Sequence, residues 1–242
     1  MRAANQLVAR ILEELAAMVA PGVTTADLDR AAESKVRAAG AEPAFKGYRG
    51  YPCTLCASVN EQVVHGIPSA KPLVAGDIVS LDMGVKLDGY YGDSAVTVPV
   101  GVVGEDVSAL LRVTREALGK GIAEVKIGGR ISDIGHAIQA HVEAHGFSVV
   151  REFVGHGIGA SLHEEPQIAN YGEPGRGPRL AEGMTLAIEP MVNMGKPAVK
   201  VLSDGWTAVT KDGSLSAHFE HTVAVTKNGP LVLTLRPVTA GR

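Results

Sequence analysis

The chain has 242 residues, 45% of them hydrophobic, 20% charged, and a net charge of −3. That is enough apolar content to bury one sizeable core near the upper size of a single domain, about 250 residues. No Lys/Arg run marks a nucleic-acid face or a membrane patch, no stretch reaches the ~18 apolar residues of a membrane span, and Glu13 and Glu14 fall where a signal peptide needs an apolar run.

In chain order, Leu7, Ile11, Leu12, Leu15 and Val19 recur at helical spacing over residues 2–19, and Pro21-Gly22 ends that helix. Thr24 or Thr25 caps a second helix, which Gly40 stops. Residues 41–52 read as a loop rich in Gly, Pro and Tyr. Strands are predicted near 54–59, 77–85 and 90–98, and helices over 105–124 and 130–145. From 147 onward the chain reads mainly as strands and loops, with β-rich runs at 184–193, 206–210 and 217–226.

Three motifs are set aside. Cys53 and Cys56 form a C-x-x-C in "CTLCASVN", which reads as strand, where positions three apart face opposite ways. With no second cysteine pair for zinc and no helix start for a redox site, they read as two reduced thiols of a soluble cytoplasmic protein. "HVEAH" at 141–145 lacks the H-E-x-x-H order and reads as a solvated helix face. "GHGIG" lacks the following helix of a dinucleotide fold, and no G-x-S-x-G exists.

The order helix, helix, strands occurs twice, with a faint echo in the residues. "TADLD" at 25–29 matches "ISDIG" at 131–135, and Gly40 matches Gly146, both 106 positions on; "GDIVSLD" at 76–82 matches "GMTLAIE" at 183–189, 107 positions on. Each matched strand ends in an acid, Asp82 or Glu189. A duplicated fold with a pseudo-two-fold axis brings the two acids face to face.

Asp88-Gly89 is a strong two-residue hairpin signal. A turn there sets Asp93 opposite Gly84 and Asp82 opposite Ala95, so Asp82 and Asp93 share a face as diagonal neighbours about 7–8 Å apart. That gap suits a metal ion. Scattered acids on a solvated hairpin are the alternative, but "IVSLDMGV" is apolar, and an acid within such a run must be paired or metal-bound. Alternation in "SAHFEHTVAVT" puts His218, Glu220 and Thr222 on one face, and Phe219, His221, Val223 and Val225 on the other. Four acids in apolar strands, with one histidine, make a shell for two divalent cations, whose +4 balances the carboxylates' −4. "GHGIGASLHEEPQI" at 155–168 supplies His156 and His163 among glycines, residues that mark close approach of the backbone to something.

Taken together, "VNEQVVHGIP" at 59–68, "LDMGVKLDGYYGDSAVT" at 81–97, "GHGIGASLHEEPQI", "GMTLAIEPMV" at 183–192 and "SAHFEHTV" at 216–223 resemble the type I methionine aminopeptidases, pita-bread dinuclear metallohydrolases. The resemblance covers nearly the whole chain. It implies an α+β pita-bread fold: one catalytic domain over 1–242, with pseudo-two-fold halves of about 1–100 and 101–242 around a curved antiparallel sheet. It implies that Asp82 binds one metal, Asp93 bridges both, His156 and Glu189 bind the second, and Glu220 bridges again. Two cations ~3.5–4 Å apart lower the pKa of a bound water from ~15.7 toward ~7. Glu189 is then also the proton shuttle, His163 the donor to the oxyanion, and His65 faces the scissile amide nitrogen. The glycines beside His156 are expected to let substrate and metals approach the backbone. One imidazole among oxygens fits Co, Mn or Fe, with Zn also open.

Tyr48, Tyr51, Cys56 and Trp206 fall where similar enzymes line the methionine pocket, and aromatic edges and a thiol suit a thioether. Three residues depart from the pattern: Leu162 stands where Phe is frequent, Phe45 where a smaller residue is common, and His218 where Gln is usual. His218 is expected to act behind the ligands. The implied activity is removal of the initiator methionine before a small second residue. The expected partners are nascent N-termini, with the ribosome left open as the meeting place, and neither nucleic acid nor membrane; the protein is expected to be a monomer. Two alternatives stand: a proline-directed aminopeptidase or dipeptidase, whose relatives carry an extra N-terminal domain, and a non-catalytic peptide-binding protein, which has typically lost ligands. Glu189 and Glu220, 31 positions apart, leave no room for the type II helical insert.

Overall fold

A computed structural model describes residues 1–235. It contains, in chain order, α1 (Arg2–Met18), α2 (Thr25–Ala38), β1 (Glu42–Pro43), a 3-10 turn (Tyr48–Gly50), β2 (Leu55–Val59), β3 (Gln62–Val64), β4 (Ile78–Leu87) and β5 (Tyr90–Pro99). Then come α3 (Glu105–Ala123), α4 (Ile131–Ala144), β6 (Ser148–Val149), β7 (Gly155–Gly157), β8 (Glu164–Ile168), β9 (Thr185–Ile188), β10 (Met191–Asn193) and β11 (Val199–Val201). β12 (Ala208–Thr210), β13 (Ser216–His218), β14 (Glu220–Thr226) and β15 (Gly229–Val232) complete it. Among the described residues, no helix is long and apolar enough to cross a membrane.

Nine strands form one antiparallel sheet in the order β1-β4-β5-β14-β9-β7-β8, with β2 also on β4 and β15 also on β14. The helices cover one face of it. Val79, Leu81, Met83 and Val85 of β4 pack with Leu7, Ile11 and Leu15 of α1 and Leu28 and Val36 of α2. Leu186 and Ile188 of β9, with Val223 and Val225 of β14, pack with Leu110 and Leu118 of α3 and Ile134 and Ile138 of α4. Each such side chain contributes about 1.5–3 kcal/mol by leaving water. Because side chains alternate across a strand, this fixes which residues point to the other, concave face.

The two helical pairs are built alike. α2 and α4 have 14 residues each, and both are followed by a glycine with positive φ, Gly40 (73°) and Gly146 (79°). The third helical residue caps each start: Asp27 accepts from the Thr24 amide at 3.0 Å and Asp133 from the Arg130 amide at 2.8 Å. The loop pairings match too. Gly22 donates to Leu73 and Leu73 to Val23, while Gly128 donates to Leu180 and Leu180 to Gly129. Ala95 of β5 pairs with Glu220 of β14, where the two halves of the sheet meet.

The hairpin register is as the Asp88-Gly89 turn requires: Gly84 opposite Asp93 and Asp82 opposite Ala95. Downstream, the predicted runs are interrupted. The 184–193 run is two strands parted at Glu189-Pro190, because proline has no amide hydrogen for a ladder bond. The 217–226 run breaks at Phe219, and the 206–210 run begins only at Ala208. The C-x-x-C segment becomes strand only at Leu55, so Cys53 lies in the preceding loop and Cys56 in the sheet.

Candidate active site

The concave face carries two adjacent rows of side chains. In the first, Cys56 pairs with Asp82, Asp82 with Ala95, and Ala95 with Glu220. In the second, Gly84 pairs with Asp93, while Thr222 pairs with Ala187 and Ala187 with His156. Thr222 Oγ1 donates to the Asp93 carbonyl at 2.8 Å and joins the halves of that row. Glu189 follows the last residue of β9, and Asn170 holds its carbonyl at 3.1 Å.

These side chains converge. Asp93, His156 and Glu220 each offer a ligand atom within 4.8 Å of the others. His156 Nε2 lies 3.6 Å from Glu189 Oε1 and 3.9 Å from Asp93 Oδ2. Its Nδ1 is 2.8 Å from the Gly157 carbonyl, which can only accept, so Nδ1 is the donor. In the neutral ring Nε2 then presents a lone pair to two carboxylates, an arrangement that asks for a cation between them.

The carboxylates carry the same signal. Asp82 Oδ1, Asp93 Oδ1 and Glu220 Oε1 are buried without a hydrogen-bond partner. Burial raises the pKa of all four acids, and neighbouring carboxylates raise those of Asp82, Glu189 and Glu220 further. Such a cluster is costly unless protonated or bridged by cations. The donor set, four carboxylates and one imidazole with no thiolate, fits divalent Mn, Fe, Co or Zn.

Over this cluster lies a cavity of about 170 Å³, lined by the five residues above and by His65, His163, Tyr48, Tyr51, Cys56, Trp206, Phe45, Leu162 and Arg49. The cavity thus gathers every residue expected for the site. His163 Nδ1 is 2.9 Å from the Tyr48 hydroxyl, its ring stacks on Tyr48, and its centroid is 4.2 Å from that of His156. Burial, then the nearby His156, Arg49 and His65, push its pKa down to about 4. His65 meets Phe153 and Trp206 edge-on, and burial lowers its pKa. The Tyr51 hydroxyl lies 3.0 Å from the Leu55 carbonyl and 3.1 Å from that of Gly66, which fixes its ring edge-on to Trp206.

Of the three departures, Phe45 lies where a Cβ on Gly84 would meet its ring at 2.9 Å, so the larger residue sits on a bare stretch of β4. Leu162 packs with Ile158 and Ala187 in the wall. His218 does not line the cavity: it is buried behind Glu189, with Nε2 3.6 Å from Oε2 and both ring nitrogens without a hydrogen-bond partner. Burial, with a smaller contribution from His65, pushes its pKa down to about 3.

The glycines beside His156 have a different task from the one expected. A Cβ on Gly155 would sit 2.3 Å from the Ala187 carbonyl oxygen, and one on Gly157 2.3 Å from that of Glu165. They flank His156 in a three-residue strand and let neighbouring backbones close in, rather than admitting substrate. Arg49 also lines the cavity, with no sequence expectation attached to it. It has φ 50°, and its guanidinium lies 5.4 Å from the Tyr48 ring centroid; its signal was its place between Tyr48 and Tyr51. His65 also has a positive φ, 60°. Sparsely populated backbone at a site implies a surrounding structure that enforces it.

The geometry is that of a metal-dependent hydrolase, and the comparisons give it a class. The model of metallopeptidase family M24 matches residues 1–227, and the chain belongs to that family. Within it the chain is similar to methionine aminopeptidases. It is 55% identical over 234 residues to methionine aminopeptidase 1 of Bacillus subtilis, covering 97% of this chain and 94% of that one. It is 54% identical over 235 residues to the enzyme of Clostridium perfringens, with the same coverage of 97% and 94%. The crystal structure of the Thermotoga maritima methionine aminopeptidase superimposes with a TM-score of 0.96 at 51% identity, covering 98% of this chain and 95% of that chain.

Proposed function

We propose that this protein removes the N-terminal methionine from proteins and peptides with a small second residue. The observation that carries the reading is the lone pair of His156 Nε2 facing the Asp93 and Glu189 carboxylates, beside partnerless oxygens of Asp82, Asp93 and Glu220, at the floor of an aromatic-lined cavity. A cavity of about 170 Å³ has room for one amino-acid side chain beside these carboxylates. The edges of Tyr51 and Trp206 and the Cys56 thiol suit the polarizable thioether of methionine.

Asp82, Asp93, His156, Glu189 and Glu220 would hold two divalent cations. When bound, these supply a nucleophile at neutral pH and draw charge from the scissile carbonyl. Glu189, at the end of β9 and in reach of His156, takes the proton of the attacking water and delivers it to the departing amine. His163 is neutral at pH 7; in the tautomer where the Tyr48 O–H donates to Nδ1, its Nε2–H donates to the developing oxyanion. His65 faces the scissile amide nitrogen from the opposite wall. The substrates are nascent chains, met in the cytoplasm where they are made.

The test is release of the first amino acid from two peptides, one beginning Met-Ala and one Ala-Pro, by metal-stripped protein given manganese or cobalt. Metal-dependent release of methionine from the first alone is expected. Release from the Ala-Pro peptide alone would move the protein to the proline-directed branch. No release with any of manganese, cobalt, iron or zinc would overturn the reading.

A further inference from the structure

A second group of metal-ligating side chains lies on the outer surface, where α3 packs on α4. His141 is in the last turn of α4 and His145 is its C-cap residue. Four positions apart, they share a face, with ring centroids 4.6 Å apart. What the sequence could not show is the residue opposite. Glu116 of α3 brings Oε2 to 3.1 Å from His141 Nε2, and one ligand atom of each of the three lies within 4.8 Å of the others.

We infer that Glu116, His141 and His145 form a surface site for a borderline divalent cation such as zinc, which clamps the end of α4 to α3. Two imidazole nitrogens and one carboxylate oxygen match zinc, nickel or copper and not calcium or magnesium, and water completes the four ligands of zinc. One proton is already placed for it and one would be displaced: His141 Nε2, which donates to Glu116 Oε2, would exchange that proton for the cation. His145 Nδ1 is 2.8 Å from the His141 carbonyl, so Nδ1 donates and Nε2 keeps its lone pair. Arg112 Nη1 lies 3.2 Å from both Glu116 oxygens and holds that carboxylate ionised; Oε1 keeps a second lone pair for a metal, and Oε2 is freed when His141 Nε2 gives up its proton. The cation would also lie at a helix C-terminus, where the unpaired carbonyls favour positive charge. None of the three residues lines the cavity of the candidate active site.

The test is calorimetric titration of the metal-stripped protein with zinc, alongside His145→Ala, His141→Ala and Glu116→Gln. His145 and Glu116 are exposed, so their variants keep the core intact; His141 is half-buried. The parent is expected to take up one zinc equivalent more than either histidine variant, and E116Q to bind that equivalent at least ~10-fold more weakly. Zinc taken up at the active site is common to all four proteins and cancels in the difference. Equal zinc stoichiometry and affinity in the parent and both histidine variants would overturn the inference.

Discussion

The two halves share a scaffold and differ in how they present their acids. In the first half, Asp82 and Asp93 sit inside a continuous ten-by-ten-residue hairpin, in register from Ile78 to Pro99. In the second, Glu189 follows a four-residue strand, Glu220 opens a seven-residue one, and His156 is the middle of a three-residue one. The difference teaches that a duplicated frame can keep its caps and turns while one copy is cut open. The cuts bring in what the hairpin lacks: the imidazole of His156, the Glu189 carboxylate at a free strand end, and the wall residues Trp206 and His163.

If both halves hold the cations jointly, neither suffices alone. Asp93→Asn and Glu220→Gln should each lose metal uptake and lower kcat/KM by about 10³-fold or more, as several kcal/mol of transition-state stabilisation goes with the cations. Elemental analysis beside peptide release checks this; a D93N protein that keeps both metal and rate would make the second half self-sufficient. Next in size is His163, from a loop of the second half. His163→Ala should lower kcat about 10²–10³-fold while metal content stays unchanged. A loss of metal instead would make His163 a ligand.

Smaller effects probe the matched helices. Residue 29 of α2 and residue 135 of α4 are equivalent, 106 positions apart, yet they are Asp and Gly. Asp29 Oδ1 accepts from the amides of Thr54 and Leu55, both at 2.9 Å. Gly135 lets α4 touch backbone directly: a Cβ there would lie 2.2 Å from the Ala169 carbonyl oxygen. Gly135→Ala should cost close to ~3 kcal/mol in denaturant unfolding, and Asp29→Ala about 1–2 kcal/mol. The reverse order would mean that α4 yields more readily than its twin. The helix starts should differ least. Thr24 Oγ1 accepts from the Asp27 amide at 3.1 Å, so Thr24→Ala should cost about 1 kcal/mol. Arg130, with no such side-chain cap, should cost under ~0.5 kcal/mol as Ala.

The contrast between the halves also explains what was legible in the sequence. The hairpin could be read to the residue, because a two-residue turn fixes its register and alternation then fixes its faces. Both pairs of helices could be read from spacing and caps. The second half resisted because its strands are short and Pro190 and Phe219 interrupt them, so local pattern carries little information there. The crowding at Gly155 and Gly157 is not legible locally, because the strands that press on them, β8 and β9, come later in the chain. Arg49 is not legible either, because an exposed arginine in a loop has no periodicity to mark it. Glu116 could not be joined to His141 without knowing how α3 meets α4.

The central claim is that four carboxylates from both halves, Asp93 and Glu220 buried and Asp82 and Glu189 half-buried, are held together at a cost that cations remove. Their folded-state pKa values lie above the unfolded ones near 4, so the folded state holds extra protons and loses stability as pH rises. Buried histidines act oppositely, since His163 at about 4 and His218 at about 3 lie below the unfolded value, but that effect is complete by about pH 7. The decisive measurement is therefore the Tm of metal-stripped protein between about pH 7 and 8.5, with and without manganese. The account predicts a Tm that falls with pH in the stripped protein and a flat or much shallower profile once manganese is bound. Identical slopes in the two would contradict it.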